Sequence, residues 1–150
     1  MLEIERKFLV KDLSTVNLSV LRCLNITQWY ISFDPVVRVR ISDDTAYLTI
    51  KGKGAVSKLE IEHTIPLADA VDLMELQKGS KVRKKRYIYP HEGRDWEIDV
   101  FEDDNQGLIL AEIELDDEHE KFPKPSFIGR EVSFSKGYSN ASLAKKPRKK

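Results

Sequence analysis

Asp95-Trp96-Glu97-Ile98-Asp99-Val100-Phe101 and Leu108-Ile109-Leu110-Ala111-Glu112-Ile113-Glu114-Leu115 alternate apolar with acidic side chains over most of their length. Successive side chains of a strand point to opposite faces. Glu97 and Asp99 therefore share one face, against Trp96, Ile98 and Val100, and Glu112 and Glu114 oppose Ala111, Ile113 and Leu115. Working outward, the same period of two recurs in Leu2–Val10, Val36–Ser42, Ala46–Gly52, Lys58–Ile65 and Val82–Tyr89, and Ile26–Phe33 reads as a further strand, eight in all. Such alternation marks half-buried antiparallel strands rather than the continuous apolar runs of a parallel sheet. Glu131–Phe134 is a ninth, weaker segment. Asp43-Asp44 and His91-Glu92-Gly93-Arg94 read as hairpin turns. Helix signals are few: Pro66–Lys78, which opens on a proline and stops before Gly79, a short turn at Asp116–Lys121, and Ser139–Lys146. The class is α+β.

The 150 residues suit one domain, read as 1–144. The 25 basic and 25 acidic residues cancel, but five of the last six, Lys145–Lys150, are basic; without them 20 basic face 25 acidic residues, a body of −5. That balance argues against a nucleic-acid-binding surface. The basic stretch 145–150 reads as a solvated, disordered tail. The longest run free of Asp, Glu, Lys and Arg is the eleven residues Cys23–Phe33, well short of the ~20 of a membrane helix. No secretory leader follows Met1, and a single cysteine, Cys23, can form no internal disulfide. Together these predict a soluble, cytoplasmic chain. His63, His91 and His119 are scattered and form no metal or general-base constellation, while Trp29 and Trp96 read as packing residues.

One face collects most of the charge. Glu3, Glu5 and Lys7 oppose Leu2, Ile4 and Phe8; Arg38 and Arg40 oppose Val37, Val39 and Ile41. Lys51 sits with Thr49 and Tyr47, and Lys58, Glu60 and Glu62 oppose Leu59 and Ile61. Lys84 and Arg86 share a face, although Arg83 and Lys85 leave that strand ambiguous. An open sheet with its charged face in water accounts for the alternation alone. A barrel closed with the charges inward accounts also for the E-x-E, E-x-D, R-x-R and K-x-R doublets, whose like charges lie ~7 Å apart on one strand. Carboxylates without His or Cys suit hard divalent cations such as Mg²⁺ or Mn²⁺, and Arg and Lys doublets suit phosphate oxygens. A single convincing helix leaves much of the apolar face uncovered, so a homodimer stays open.

These residues resemble the CYTH domain superfamily, the triphosphate tunnel metalloenzymes. Glu3-Ile4-Glu5-Arg6-Lys7 matches its E-x-E-x-K motif. The likeness continues through Val37–Arg40, Leu48–Gly52, Glu60–Glu62, Lys84–Tyr87, Trp96–Phe101, Leu110–Leu115 and Tyr138–Ala144, nearly end to end and in order. The resemblance implies an eight-stranded antiparallel β-barrel with a charged lumen and a few flanking helices, and the short bacterial inorganic tripolyphosphatase type within that superfamily. It implies Lys7, Arg38, Arg40, Lys51, Lys58, Lys84 and Arg86 as phosphate-binding groups, with Lys136 in place of the basic residue that relatives carry where Gly137 stands. It also implies Glu3, Glu5, Asp99, Glu112 and Glu114 as ligands of Mg²⁺ or Mn²⁺, and Lys7, Glu60, Glu62 and Lys84 as catalytic.

The activity so implied is divalent-metal-dependent hydrolysis of the terminal phosphate of a linear triphosphate, foremost inorganic tripolyphosphate. A nucleoside or thiamine triphosphatase, or a class IV-type adenylate cyclase, would use the same motifs with the substrate turned differently. A triphosphate-binding module without turnover is the reading from another class. The full acidic set argues against that last one, because a pure anion binder gains little from so many carboxylates.

Overall fold

A computed structural model of the chain describes residues 1–148. The strands are β1 (Leu2–Val10), β2 (Arg22–Phe33), β3 (Val36–Ser42), β4 (Thr45–Lys51), β5 (Ser57–Ile65), β6 (Lys78–His91), β7 (Arg94–Phe101), β8 (Ile109–Glu114) and β9 (Ile128–Glu131), with two short helices, α1 (Leu67–Asp72) and α2 (Asn140–Lys145). All neighbours are antiparallel in the order β5-β4-β3-β2-β6-β7-β8-β1-β9, and β5 also pairs with β1, which closes the first eight into a barrel. β1 makes this possible by dividing one edge between two partners. Its first half pairs with β5 (Leu2↔Leu59, Ile4↔Ser57) and its second half with β9 (Phe8↔Glu131, Val10↔Ile128).

Turn chemistry fixes the register. Glu92 and Gly93 both have positive φ, 47° and 83°, as a two-residue hairpin loop between β6 and β7 requires. Asp43, at φ 53°, accepts a hydrogen bond on its carboxylate from the Asn25 N–H and so ties the β3–β4 hairpin to β2. The ambiguous strand resolves cleanly: Val82, Lys84 and Arg86 are buried, whereas Arg83 and Lys85 are exposed.

The apolar outer faces are covered largely by the chain itself. Phe8, Trp96, Ile98, Ala111 and Ile113 pack under Leu13, Val16, Leu115, Phe122, Phe127 and Ile128 from the irregular segments flanking β1 and β8. Ala70 of α1 seals Trp29, Val39 and Ala46. Leu2, Ile50, Leu59 and Ile61 remain exposed on β1, β4 and β5.

Three local expectations change. The helix expected over Pro66–Lys78 is α-helical only to Asp72 and continues as a 3₁₀ turn over Leu73–Leu76. It stops there because β6 must begin at Lys78 to pair with Tyr30 of β2. Asp116–Lys121 is a turn: Asp117 accepts from the His119 N–H and Glu120 from the Asp116 N–H, which offers the backbone an alternative to helix. The ninth strand lies at Ile128–Glu131, mostly ahead of the expected segment. Among the described residues, no helix is long and apolar enough to cross a membrane.

Along the barrel's inner face the side chains change character in step. Read from the end away from α2, β1 presents Glu3, Glu5, Lys7 and then Leu9; β8 presents Glu114, Glu112, Leu110; β7 presents Glu97, Asp99, Phe101; and β3 presents Arg40, Arg38, Val36. The apolar ends meet Tyr30, Val82, Leu108 and Val132, with Leu143 and Ala144 of α2, in a buried cluster that forms the floor of the lumen. The strands thus supply both the container and its core.

Candidate active site

Above that floor lies a cavity of about 290 Å³ lined by Glu3, Glu5, Arg38, Arg40, Lys51, Glu60, Glu62, Arg86, Glu97, Glu112, Glu114 and Asn140. Every lining side chain is charged or, for Asn140, a neutral amide. Four strand pairings set much of this lining in register, through five residue pairs: Glu5↔Glu114 and Lys7↔Glu112 across β1–β8, Glu97↔Glu112 across β7–β8, Lys51↔Glu60 across β4–β5 and Arg86↔Asp99 across β6–β7.

Most cations are already matched to acids. Lys51 Nζ lies 2.9 Å from Glu3 and 3.4 Å from Glu60. Arg38 lies 3.4 Å from Glu62 and donates to Thr49 Oγ1, whose hydroxyl donates in turn to Glu62 at 2.7 Å. Lys7 lies 3.3 Å from Glu112 and donates to the Tyr138 carbonyl. Arg86 reaches Glu97 at 3.3 Å and Glu112 at 3.7 Å.

Electrostatics divides the acids into two kinds. Burial raises the Glu112 pKa, but Lys7 and Arg86 outweigh it and hold the carboxyl well below its usual range. Glu5 goes the other way: burial, then Glu112 and Glu3, push it up to about 8. A protonated Glu5 can donate to Glu112. Glu97 and Glu114 are also raised, by burial first. Glu5, Glu97 and Glu114 are therefore the lumen acids that their surroundings favour least as anions.

Asp99 does not belong to that side. It is fully buried and accepts from Arg86 Nε at 2.8 Å and Nη2 at 2.9 Å, with Lys84 Nζ at 2.8 Å. Burial raises its pKa, yet Arg86 and Lys84 more than compensate and leave it lowered. With its oxygens engaged by two cations, it is placed as their counter-ion, whereas the expectation set it among the metal ligands. Lys84, also fully buried, sits below the cavity with its ammonium held by Asp99 and by Asn140 Oδ1 at 3.0 Å. Burial, despite Asp99, pushes it down to about 7.

The remaining expectations fall as follows. Arg38, Arg40, Lys51 and Arg86 line the cavity; Lys7 lies at its edge, bonded to Glu112 and the Tyr138 carbonyl. Lys58 lies in an adjoining cleft of about 630 Å³, which shares Arg38, Lys51 and Asn140 with the lumen. Lys136 is exposed and lines neither space. The turn through Gly137, at φ 94°, carries the chain inward only at Tyr138. The basic group on Tyr138 is instead Arg148, stacked 4.2 Å from the ring centroid. Residues 145–148 of the basic tail are placed: Lys145 ends α2 and caps the Phe33 ring at 4.8 Å, and the Arg148 N–H donates to Asn105. Lys149 and Lys150 lie outside the described residues.

Sequence reasoning missed the neutral members. Gln28 and Asn140 both join the lumen network. Strand parity would have found Gln28, since it faces Arg40 across β2–β3; Asn140 sits on a helix and gives no such signal. Among the described residues, no three His, Cys, Asp or Glu side chains already converge as a metal cluster.

A family model described as the CYTH domain matches residues 1–148. An inorganic triphosphatase from Acetivibrio thermocellus is 42% identical over 151 residues, spanning 98% of this chain and 96% of the relative. One from Nitrosomonas europaea is 33% identical over 150 residues, spanning 96% and 97%. The crystal structure of the inorganic triphosphatase NE1496 superposes with a TM-score of 0.68 at 30% identity, covering 95% of this chain and 93% of that one.

Proposed function

Because the chain belongs to the CYTH domain family, we propose that it is a divalent-metal-dependent triphosphatase that removes the terminal phosphate of inorganic tripolyphosphate within the barrel. The observation that carries this reading is the cavity lining. It offers acids and cations on facing strands and no apolar or aromatic surface on which a base could stack. The adjoining cleft does hold Tyr30 and Phe33, but these rings stack on each other with centroids 5.4 Å apart, and Lys145 caps Phe33. This supports an inorganic chain over a nucleotide.

Arg38, Arg40, Lys51 and Arg86 bind non-bridging phosphate oxygens, the arginines through forked contacts. Lys7 and Lys84, at the cavity's edge and beneath it, add positive potential and hold the acids in place. The donor set on the opposite side fits a hard divalent cation. Glu5 and Glu114 are direct cross-strand partners, Glu3 and Glu112 adjoin them, and burial, with Glu112 and Glu3 beside it, raises Glu5 to about 8 despite Lys51 and Lys7. Glu3, Glu5, Glu112 and Glu114 would hold Mg²⁺ or Mn²⁺. When bound, that ion supplies neutralisation of phosphate oxygens.

Glu60 and Glu62, fixed by Lys51 and by Arg38 with Thr49, orient water and accept its proton as the water oxygen attacks the terminal phosphorus. The phosphoanhydride bond breaks, and pyrophosphate leaves with its charge on Arg and Lys. Positioning and charge stabilisation suffice for such a transfer. With Cys23 unpaired, the chain has no disulfide that calls for an oxidising compartment, which supports action in the cytoplasm.

The test is phosphate release from tripolyphosphate with Mg²⁺ or Mn²⁺ and with excess chelator. Release should stop on chelation and return when either ion is restored. Full turnover in chelator would remove the metalloenzyme reading, and pyrophosphate release from ATP would indicate a cyclase.

A further inference from the structure

Arg40 differs from the other arginines of the lumen. Arg38 and Arg86 each have a carboxylate within 4 Å, whereas among the described residues Arg40 has none. Among the described residues its only side-chain partner is Gln28, which is fully buried and directly opposite on β2. Arg40 Nε donates to Gln28 Oε1 at 2.9 Å, and Gln28 Nε2 donates to Tyr30 Oη at 3.2 Å. An arginine has no acceptor, so the amide oxygen must face it, and the tyrosine contact anchors the other end. The Nε contact leaves the terminal guanidinium nitrogens, which line the cavity, without a fixed partner.

We propose that Gln28 is a positioning residue that orients Arg40 without neutralising it, making Arg40 the lumen's standing point of attachment for an incoming phosphate. The inference rests on the triphosphatase reading and deepens it. At the other paired cations, a phosphate must displace a protein carboxylate before it can bind. At Arg40 it displaces only solvent. A carboxylate at position 28 would hold the guanidinium equally well but would cancel the charge that attracts the substrate. An apolar residue would keep the charge but release the fork. Burial, together with repulsion from Arg38 and Arg86, already pushes Arg40 down to about 10, as expected of a cation lacking its own anion.

The experiment compares Gln28→Glu and Gln28→Leu with the parent chain by three measurements: tripolyphosphate affinity by calorimetry, the KM and kcat of phosphate release, and thermal melting. Gln28→Glu should melt at or above the parent temperature yet bind tripolyphosphate about tenfold more weakly, with KM rising more than kcat falls. Gln28→Leu should melt lower, because Arg40 and Tyr30 lose partners, and should weaken binding as well. A purely structural glutamine predicts that affinity follows melting temperature in both variants. A folded Gln28→Glu chain with parental affinity and KM would overturn the proposal. If the parent binds tripolyphosphate without hydrolysing it, the enzyme reading fails, while weaker binding by Gln28→Glu would still support the role given to Gln28.

Discussion

Replacing Asp99 by asparagine separates the two roles a lumen acid can have. The side chain keeps its shape but loses its charge, and one of its two acceptor oxygens becomes a donor facing Lys84 or Arg86. In the parent, three charge-assisted contacts of 2.8, 2.9 and 2.8 Å converge on Asp99, with Asp99 and Lys84 both at 0% side-chain exposure. Removing one partner of a buried ion pair costs about 3–5 kcal/mol, because the surviving charge stays buried. For a domain of this size that corresponds to a fall in melting temperature of roughly 10 °C or more. Urea unfolding followed by tryptophan fluorescence would measure it as a drop in midpoint with an unchanged slope. The pH dependence adds a sign. A carboxyl with a lowered folded pKa contributes stability above its ordinary value of 3.8 and loses it as pH falls through the folded value. The gap between parent and Asp99→Asn should therefore narrow in acid. A variant within about 0.5 kcal/mol of the parent would refute the counter-ion role, since that is the range of ordinary surface substitutions. A shifted metal requirement without lost stability would refute it too, by restoring Asp99 as a ligand.

Leu143→Ala should cost about 2–5 kcal/mol in denaturant unfolding, the range for emptying a fully buried leucine site; a loss under 1 kcal/mol would mean that α2 is not part of the floor. Glu5→Gln should raise the Mg²⁺ or Mn²⁺ concentration needed for half-maximal turnover, and an unchanged requirement would exclude Glu5 from the metal side. In chelator, the parent binds more protons folded than unfolded between the ordinary glutamate value of 4.5 and about 8 at this site. Glu5 should thus make stability fall as pH rises through that window. Glu5→Gln should flatten the slope, and melting curves across the window would show an unchanged slope if the assignment is wrong.

Most strands were legible because they carry period two, and the charged doublets on one face made closure around a lumen the more informative reading. Lys84 and Arg86 could not be separated from Arg83 and Lys85 by sequence, because four successive cations have no alternation; pairing with Asp99 and Ile26 decides it. Asp99 looked like Glu97 because parity assigns a face, not a depth: Asp99 is fully buried against Lys84 and Arg86, whereas Glu97 is partly exposed. The exposure of Lys136 was not legible, because a left-handed glycine follows it and turns the chain before Tyr138. Gln28 was overlooked because a neutral side chain attracts no attention in a search for charge, although its face was readable.

The pairing of lumen cations with lumen acids also bears on the order in which ligands arrive. A phosphate that takes Lys51 or Arg86 strips Glu3, Glu60, Glu97 or Glu112 of its partner, and a stripped carboxylate seeks a cation. A metal that takes those carboxylates frees the basic groups for phosphate. Each ligand thus prepares the other's site, and by linkage the help is equal in both directions. The barrel behaves like an exchange in which both parties must be present to trade: beyond Arg40, an anion alone meets cations already occupied, and a metal alone leaves lysines and arginines facing one another unshielded.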